Sequence, residues 1–156
     1  CRVAEVVDRF GIEPHVALLA HSNFGDNDDP SSKKMRKALE LVRKMAPDLE
    51  IDGEMKGDTA LNESVRKRIN PNSTLTRNAN VLIAPNMDAA NIAFNLVKET
   101  TEGMSVGPIL IGMQKSAHVV TPAITTRGIV NMTAAAVVGA QDHQSGAIAA
   151  APVAAG

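Results

Sequence analysis

Short apolar runs alternate along the chain with stretches in which apolar residues recur every three to four positions. The runs VALLA at 16–20 and VLIA at 81–84 are continuous, which is typical of strands buried on both faces of a parallel sheet. Two further runs, at 49–53 and 109–111, are predicted to be strands of the same sheet. Since helix-spaced stretches separate these runs, the pattern predicts an α/β fold with a mostly parallel sheet.

Capping residues and prolines mark where the predicted helices begin and end. Ser31 or Ser32 is the predicted cap of a helix that ends at Pro47, and Asp58 or Thr59 that of the next one. A first helix is predicted at 2–10, and Pro71 ends the helix that Asp58 or Thr59 begins. A further helix begins at Asp88, and Thr125 or Thr126 is the predicted cap of the last one.

Composition excludes several classes of protein. The 156 residues fit one domain, and a net charge of −1 with 2% aromatic residues argues against a nucleic-acid-binding surface. A single cysteine excludes an internal disulfide framework and any cysteine-rich zinc site. No apolar run approaches the roughly 20 residues of a membrane span, and no signal peptide is recognisable. We therefore expect a cytoplasmic protein without nucleic-acid or membrane partners.

The two ends of the chain differ from its middle. There is no initiator Met, and Cys1 stands directly before a predicted helix, so we expect a piece of a longer protein. The last ten residues include six alanines and no charge. We predict a folded part at 1–141 and a low-complexity tail at 142–156.

Ligands of parallel α/β sheets bind beyond the carboxyl ends of the strands. This rule selects the loops at 21–30, 53–58, 85–88 and 113–128. Each leads into a predicted helix N-terminus, which favours an anion. Neither the dinucleotide-binding nor the P-loop glycine pattern occurs, so these loops predict a ligand-binding edge without naming the ligand.

Polar residues of the first loop allow more than one interpretation. The acidic run at 26–29 lacks the glycine and glutamate of a calcium loop, which favours a solvated loop and helix cap. His21 fits a structural role better than a general base, because no nucleophile can be named. Ser22 and Asn23 fit ligand contacts and strand termination equally well. The basic clusters at 33–44 and 66–68 are predicted to be solvated helix faces.

Five segments carry a more specific signal. They are VALLAHSNFG, APDLEIDGEMKGDTALN, NANVLIAPNMDAANIAFNLV, GPILIGMQKSAHV and TTRGIVNMTAAAVVGAQ, in unbroken order over 16–141. Together they resemble the C-terminal part of the phosphate acetyltransferase family. The resemblance implies a three-layer α/β/α fold of the isocitrate/isopropylmalate dehydrogenase type.

The resemblance favours one branch of that family. Acetyltransferases typically carry SFSTKG where residues 20–25 read AHSNFG, a form similar to the domain fused behind bacterial NADP-dependent malic enzymes. The family's active-site Ser, Arg and Asp fall on Thr121, Pro122 and Gly128 of this chain. Proline carries no charge for phosphate, glycine cannot act as a base, and the neighbouring Arg127 cannot replace the acid. We therefore predict no catalytic residue here.

The resemblance implies a regulatory and oligomerisation domain of an NADP-dependent malic enzyme, which converts malate to pyruvate. NADP and Mg²⁺ or Mn²⁺ belong to a separate upstream catalytic domain, and no cofactor or metal is predicted in this chain. Acetyl-CoA is the expected allosteric effector and a homodimer or higher homo-oligomer the expected assembly. The alternatives are an active phosphate acetyltransferase and a purely structural oligomerisation module. The candidate effector contacts are Ser22, Asn23, Thr121 and Arg127.

Overall fold

The computed structural model describes residues 2–101, 103, 105–113, 115–122 and 124–144. The chain divides into two units, Cys1–Val97 and Lys98–Gly156, and each is treated by itself below. The elements in chain order are α1 (Arg2–Arg9), β1 (Val16–Leu19), α2 (Pro30–Met45), β2 (Ile51–Met55), α3 (Gly57–Leu61), α4 (Glu63–Ile69), β3 (Val81–Ile83), α5 (Met87–Thr101) and α6 (Thr126–Gln144).

The predicted parallel sheet is confirmed in the first unit. Its strand order is β2-β1-β3, and β1 pairs in parallel with both neighbours. Val16 lies opposite Ile51 on one side and Val81 on the other. Because β1 is the central strand, its carboxyl end and the loop that follows lie in the middle of the sheet edge where ligands bind in this type of fold.

The sheet carries a hydrophobic core on each face. Alternation along β1 directs Val16 and Leu18 to one face and Ala17 to the other. The buried residues of the first core are Val16, Leu18, Met35, Leu39, Ile51 and Val81. Those of the second core are Ala17, Met55, Ala60, Leu75 and Ala79.

Strand β2 contains a bulge that moves its last residue to the second core. Leu18 lies opposite Gly53 and Leu19 opposite Met55, so Glu54 is an extra residue on the β2 side. Without it, Met55 would share a face with Ile51. The sequence places this strand at 49–53, two residues too early, because its glycine and acidic residues are typical of a loop.

Backbone geometry leaves room only for glycine at the bulge. Gly53 has φ of +142°, and an added Cβ would lie 2.6 Å from the carbonyl oxygen and 2.9 Å from the Cβ of Leu18. The close approach of Gly53 to the central strand therefore depends on the absence of a side chain.

The starts of α2, α3 and α5 differ from the prediction, and α3 begins at Gly57 after Lys56 rather than after Asp58 or Thr59. Asp29, rather than Ser31 or Ser32, is the cap of α2, and Pro30 takes the first helical position. Its carboxylate accepts hydrogen bonds from both serine N–H groups. A carboxylate in this position satisfies free helix N–H groups and interacts favourably with the helix dipole.

The helix predicted from Asp58 or Thr59 to Pro71 is two helices. Asn62 ends α3, and its side chain accepts a hydrogen bond from the N–H of Val65 at 3.2 Å, which starts α4. The chain breaks there because Asn offers its own acceptor to the backbone.

Further along the chain, α5 begins at Met87 rather than Asp88. The side chain of Asn86 accepts a hydrogen bond from the N–H of Ala89, as a helix cap does. For α6, Thr125 is confirmed as the cap because its hydroxyl accepts a hydrogen bond from the N–H of Gly128.

Two predictions about apolar segments are wrong. Residues 109–111 form no strand in the described part of the chain. Strand β3 ends at Ile83 and its Leu82 is exposed, so the strand predicted at 81–84 is not buried on both faces. Apolar composition favours burial but does not specify which edge a segment pairs with. None of the helices in the described ranges is long and apolar enough to cross a membrane.

We predict that Gly53→Ala lowers the free energy of unfolding by about 3 kcal/mol, because the methyl group meets Leu18 and the backbone conformation is unfavourable for alanine. Urea denaturation measures the change. Gly57→Ala is the matched control, since an added Cβ there meets nothing within 4 Å; it should change stability by less than about 0.5 kcal/mol. Equal stability of the two variants would contradict the account of the bulge.

Candidate functional site

The loop after β1 is held by buried hydrogen bonds. Ser22 is only 1% exposed, and its hydroxyl donates to Glu54 Oε1 at 2.9 Å. The hydroxyl oxygen of Ser22 lies 2.5 Å from the hydroxyl oxygen of Ser32 in the first turn of α2. The side chain of Ser22 therefore offers no surface to a ligand in this conformation, and any influence on binding passes through the loop.

Glu54, the extra residue of the bulge, is the centre of these contacts. Its carboxylate is fully buried, and Oε1 accepts hydrogen bonds from Ser22, from the N–H of Gly25 at 3.0 Å and from Arg36 Nη1 at 2.9 Å. Its backbone carbonyl accepts the N–H of Phe24 at 2.7 Å. The second carboxylate oxygen is buried without a hydrogen-bond partner among the described residues.

Sequence reasoning missed Glu54. The available signal was an acidic residue beside a glycine within a segment that otherwise alternates like a strand. A charge inside a strand requires a partner charge and hydrogen bonds, because its desolvation is costly.

Arg36 connects the carboxylate to the far part of the loop. Its Nη1 also donates to the carbonyl of Asn27 at 3.0 Å, and its Nη2 lies 2.5 Å from Asp28 Oδ1. The planar guanidinium can make these contacts together because its donors form a fixed fork. Arg36 is therefore no free cation for a phosphate, despite its place in a basic cluster.

Asn23 is a residue of this loop whose side chain has an unused donor. Its side-chain oxygen accepts the N–H of Lys56 at 2.9 Å, and its own N–H donates to Asp26 Oδ1. Its side-chain nitrogen has no hydrogen-bond partner in the part of the chain that the structure describes. Asn23 is half-buried, so this N–H₂ group is available to an acceptor on a ligand.

The acidic run at 26–29 ends in Asp29, the cap of α2, which agrees with the prediction of a solvated loop and helix cap. A hydrogen bond from the Ser32 hydroxyl, followed by those from the N–H groups of Ser31 and Ser32, holds the pKa of Asp29 below its ordinary value. His21 Nε2 lies 3.3 Å from Asp29 and adds to this effect. His21 is an exposed partner of the cap, which favours its structural role.

Among the described residues, no cluster of three or more His, Cys, Asp or Glu side chains could hold a metal ion.

In the second unit, the segment before α6 contains the positions that match the family's active site. Thr121 and Pro122 are exposed, and the carbonyl of Thr121 accepts the N–H of Ile124. Arg127 is exposed in the first turn of α6. A Cβ added to Gly128 would lie 2.7 Å from Ile124 Cγ1, so even the first carbon of an acidic side chain would displace Ile124.

The four candidate effector contacts belong to different units. Ser22 and Asn23 lie together around Glu54 in the first, and Thr121 and Arg127 lie in the second. Effector binding by these residues stays a prediction.

Comparison with known proteins identifies the family. Residues 1–137 match the profile of the phosphate acetyl/butaryl transferase family. The chain is 59% identical over 139 residues to an NADP-dependent malic enzyme of Escherichia coli, covering 88% of this chain and 18% of the relative. It is 42% identical over 122 residues to a phosphate acetyltransferase of Paracoccus denitrificans, covering 78% of this chain and 38% of the relative.

A solved structure supports the same assignment. The EutD phosphotransacetylase from Staphylococcus aureus matches with a TM-score of 0.82 and 27% identity, over 88% of this chain and 43% of that one. The chain therefore belongs to the phosphate acetyl/butaryl transferase family. It resembles the segment that malic enzymes share with this family, and it spans less than half the length of each relative named here.

We predict that Ser32→Ala raises the pKa of Asp29 toward its ordinary value, because the hydroxyl makes the largest contribution to lowering it. NMR titration of the carboxyl carbon measures the change. Because the folded-state pKa is the lower one, Asp29 stabilises the fold above its unfolded pKa and loses that effect as the pH falls through the folded value.

Ser31→Ala is the matched control for this titration, since only the backbone N–H of Ser31 contacts Asp29. An equal change in both variants would show that the Ser32 hydroxyl is not the main cause.

Proposed function

We propose that this chain is the regulatory and assembly domain of an NADP-dependent malic enzyme. The intact enzyme would convert malate to pyruvate and CO₂ in a separate catalytic domain that holds NADP and Mg²⁺ or Mn²⁺. The proposal depends on one observation: proline and glycine occupy the family's arginine and aspartate positions in a chain 59% identical to a malic enzyme.

The local geometry supports binding without acetyl transfer. Transfer between CoA and phosphate needs a cation for the phosphoryl group and a base for the thiol, and Pro122 and Gly128 supply neither. Phe24 stands where the SFSTKG segment has lysine, and its ring packs against the second core instead of offering a charge. An allosteric site needs only affinity that differs between two states, so the loss of these groups is compatible with regulation.

Acetyl-CoA is the proposed effector. In the first unit, Asn23 has an N–H₂ donor without a partner in the loop after β1. In the second unit, taken by itself, Arg127 is exposed in the first turn of α6. The N-terminus of a long helix favours phosphate groups, and CoA carries several. Thr121 contributes an exposed hydroxyl beside Arg127 in the sequence. Ser22 is assigned an indirect role, since its hydroxyl is engaged by Glu54.

Exposed apolar residues of α5 support the assembly role. Ile92, Phe94, Leu96 and Val97 are each more than half exposed, and no residue of this helix is buried. Large exposed apolar side chains on a surface are typical of a protein interface. A second copy of the chain is the proposed partner, because oligomers of identical subunits are the common case.

The test of the regulatory role uses the intact gene product that contains this chain. We expect malate-dependent NADP reduction in the presence of Mg²⁺, a change of that rate on adding acetyl-CoA, and no acetyl-CoA formed from acetyl phosphate and CoA.

Asn23→Asp should weaken acetyl-CoA binding about tenfold in calorimetry, because a donor becomes a negative charge while the acceptor for the N–H of Lys56 is kept.

Asn27→Asp is the control for Asn23→Asp, since it makes the same charge change in the same loop and keeps the acceptor for the N–H of Asp29. Equal weakening by both variants would contradict a specific contact at Asn23. Formation of acetyl-CoA would favour an active acetyltransferase. Self-association with no acetyl-CoA binding would favour the purely structural alternative.

We predict that Phe94→Asp reduces self-association of the intact gene product, because a charge in an apolar interface must be desolvated. Sedimentation velocity over a range of concentrations measures the oligomeric state. Asn91→Asp is the control on the same helix, since it adds the same charge at an exposed position and keeps the acceptor for Asn95. An unchanged oligomer in Phe94→Asp would exclude the side of α5 that carries Phe94 from the interface.

A further inference from the structure

Two buried carboxylates of β2 are each paired with an arginine of α2. Asp52 Oδ1 lies 3.1 Å from Arg43 Nη2, and Glu54 Oε1 lies 2.9 Å from Arg36 Nη1. The two arginines are about two helical turns apart, which places them on the same face of α2. The helix is therefore joined to the strand by two similar ion pairs, one toward each end of β2.

The two pairs differ in the segment that each one holds. Asp52 also accepts hydrogen bonds from the hydroxyl of Ser73 at 2.7 Å and the N–H of Thr74 at 2.9 Å, so it orders the segment before β3. Glu54 accepts hydrogen bonds from Ser22 and Gly25 in the loop after β1.

Glu54 has features that packing alone does not require. It enters the sheet as the extra residue of a bulge, and such bulges often redirect a side chain next to a functional site. One of its oxygens accepts three hydrogen bonds, and the other is buried without a partner among the described residues. A buried ion pair is weak evidence for a stabilising role by itself, so the contacts of this carboxylate with the loop point to a role in ordering the loop.

We infer that Glu54, held by Arg36, is a positioning residue that sets the conformation of the loop at 20–29 and thereby its affinity for the acyl-CoA effector. This inference rests on the proposed function. The two loop groups that donate to the carboxylate of Glu54, on Ser22 and Gly25, lie on either side of Asn23 in the sequence. The carboxylate thus fixes the backbone on both sides of the Asn23 side chain, whose N–H₂ group is the proposed ligand contact.

The test compares Glu54→Gln with Asp52→Asn in the intact gene product. Both variants remove one buried negative charge from β2, and with it an ion pair to an arginine of α2. For Glu54→Gln we expect an acetyl-CoA dissociation constant about tenfold higher and faster hydrogen exchange at the Phe24 and Gly25 amides. We expect Asp52→Asn to lose about as much thermal stability as Glu54→Gln. Its affinity for acetyl-CoA should stay within about twofold of the parent, and hydrogen exchange at the Phe24 and Gly25 amides should be unchanged.

Arg36→Lys provides a second variant in case Glu54→Gln does not fold. It keeps the positive charge beside Glu54 but loses the fork that reaches Asn27 and Asp28, so acetyl-CoA should bind less tightly than to the parent. Unchanged affinity in either Glu54→Gln or Arg36→Lys would overturn the inference. Equal weakening in Asp52→Asn would also overturn it, since general destabilisation would then explain the result.

The result for the parent protein separates the two proposals. If the parent binds no acetyl-CoA, the effector role fails, whatever the variants do. Hydrogen exchange then still decides whether Glu54 orders the loop: faster exchange at Gly25 in Glu54→Gln alone supports that part, and equal exchange in both variants refutes it.

Discussion

The buried carboxylate of Glu54 is the interaction on which the ligand-binding edge of this fold depends. Burying an ion costs several kcal/mol unless charge and hydrogen bonds compensate it. Here the compensation comes from three donors: the hydroxyl of Ser22 and the N–H of Gly25 in the loop after β1, and Arg36 in the first half of α2. Because all three donors meet at one oxygen, strand, helix and loop are fixed relative to one another within the first unit.

The bulge that introduces Glu54 also determines the packing behind it. Gly53 approaches Leu18 so closely that no side chain fits, and the extra residue turns Met55 into the second core. Phe24 packs against that same core from the loop. Core and loop therefore share one irregularity of the backbone, and a substitution at the bulge affects both together.

The sequence allows the general architecture to be predicted better than the site. Continuous apolar runs identify β1 and β3, and the helix-spaced positions of Met35 and Leu39 identify α2. Glu54 escapes prediction because a charge in a strand is interpretable only once its distant partners are known. The segment at 109–111 fails for the related reason that apolar residues do not specify a pairing edge.

The loss of transfer chemistry follows from residue type and does not depend on position in space. Proline cannot carry charge and glycine cannot accept a proton, whatever the surrounding geometry. Ile124 strengthens the argument, since it fills the space that the first carbon of an acid at Gly128 would need. Binding, in contrast, needs only donors in the right place. In the proposed role, therefore, selection would act on the residues that hold the loop after β1, such as Glu54 and Arg36, more than on groups that react with a substrate.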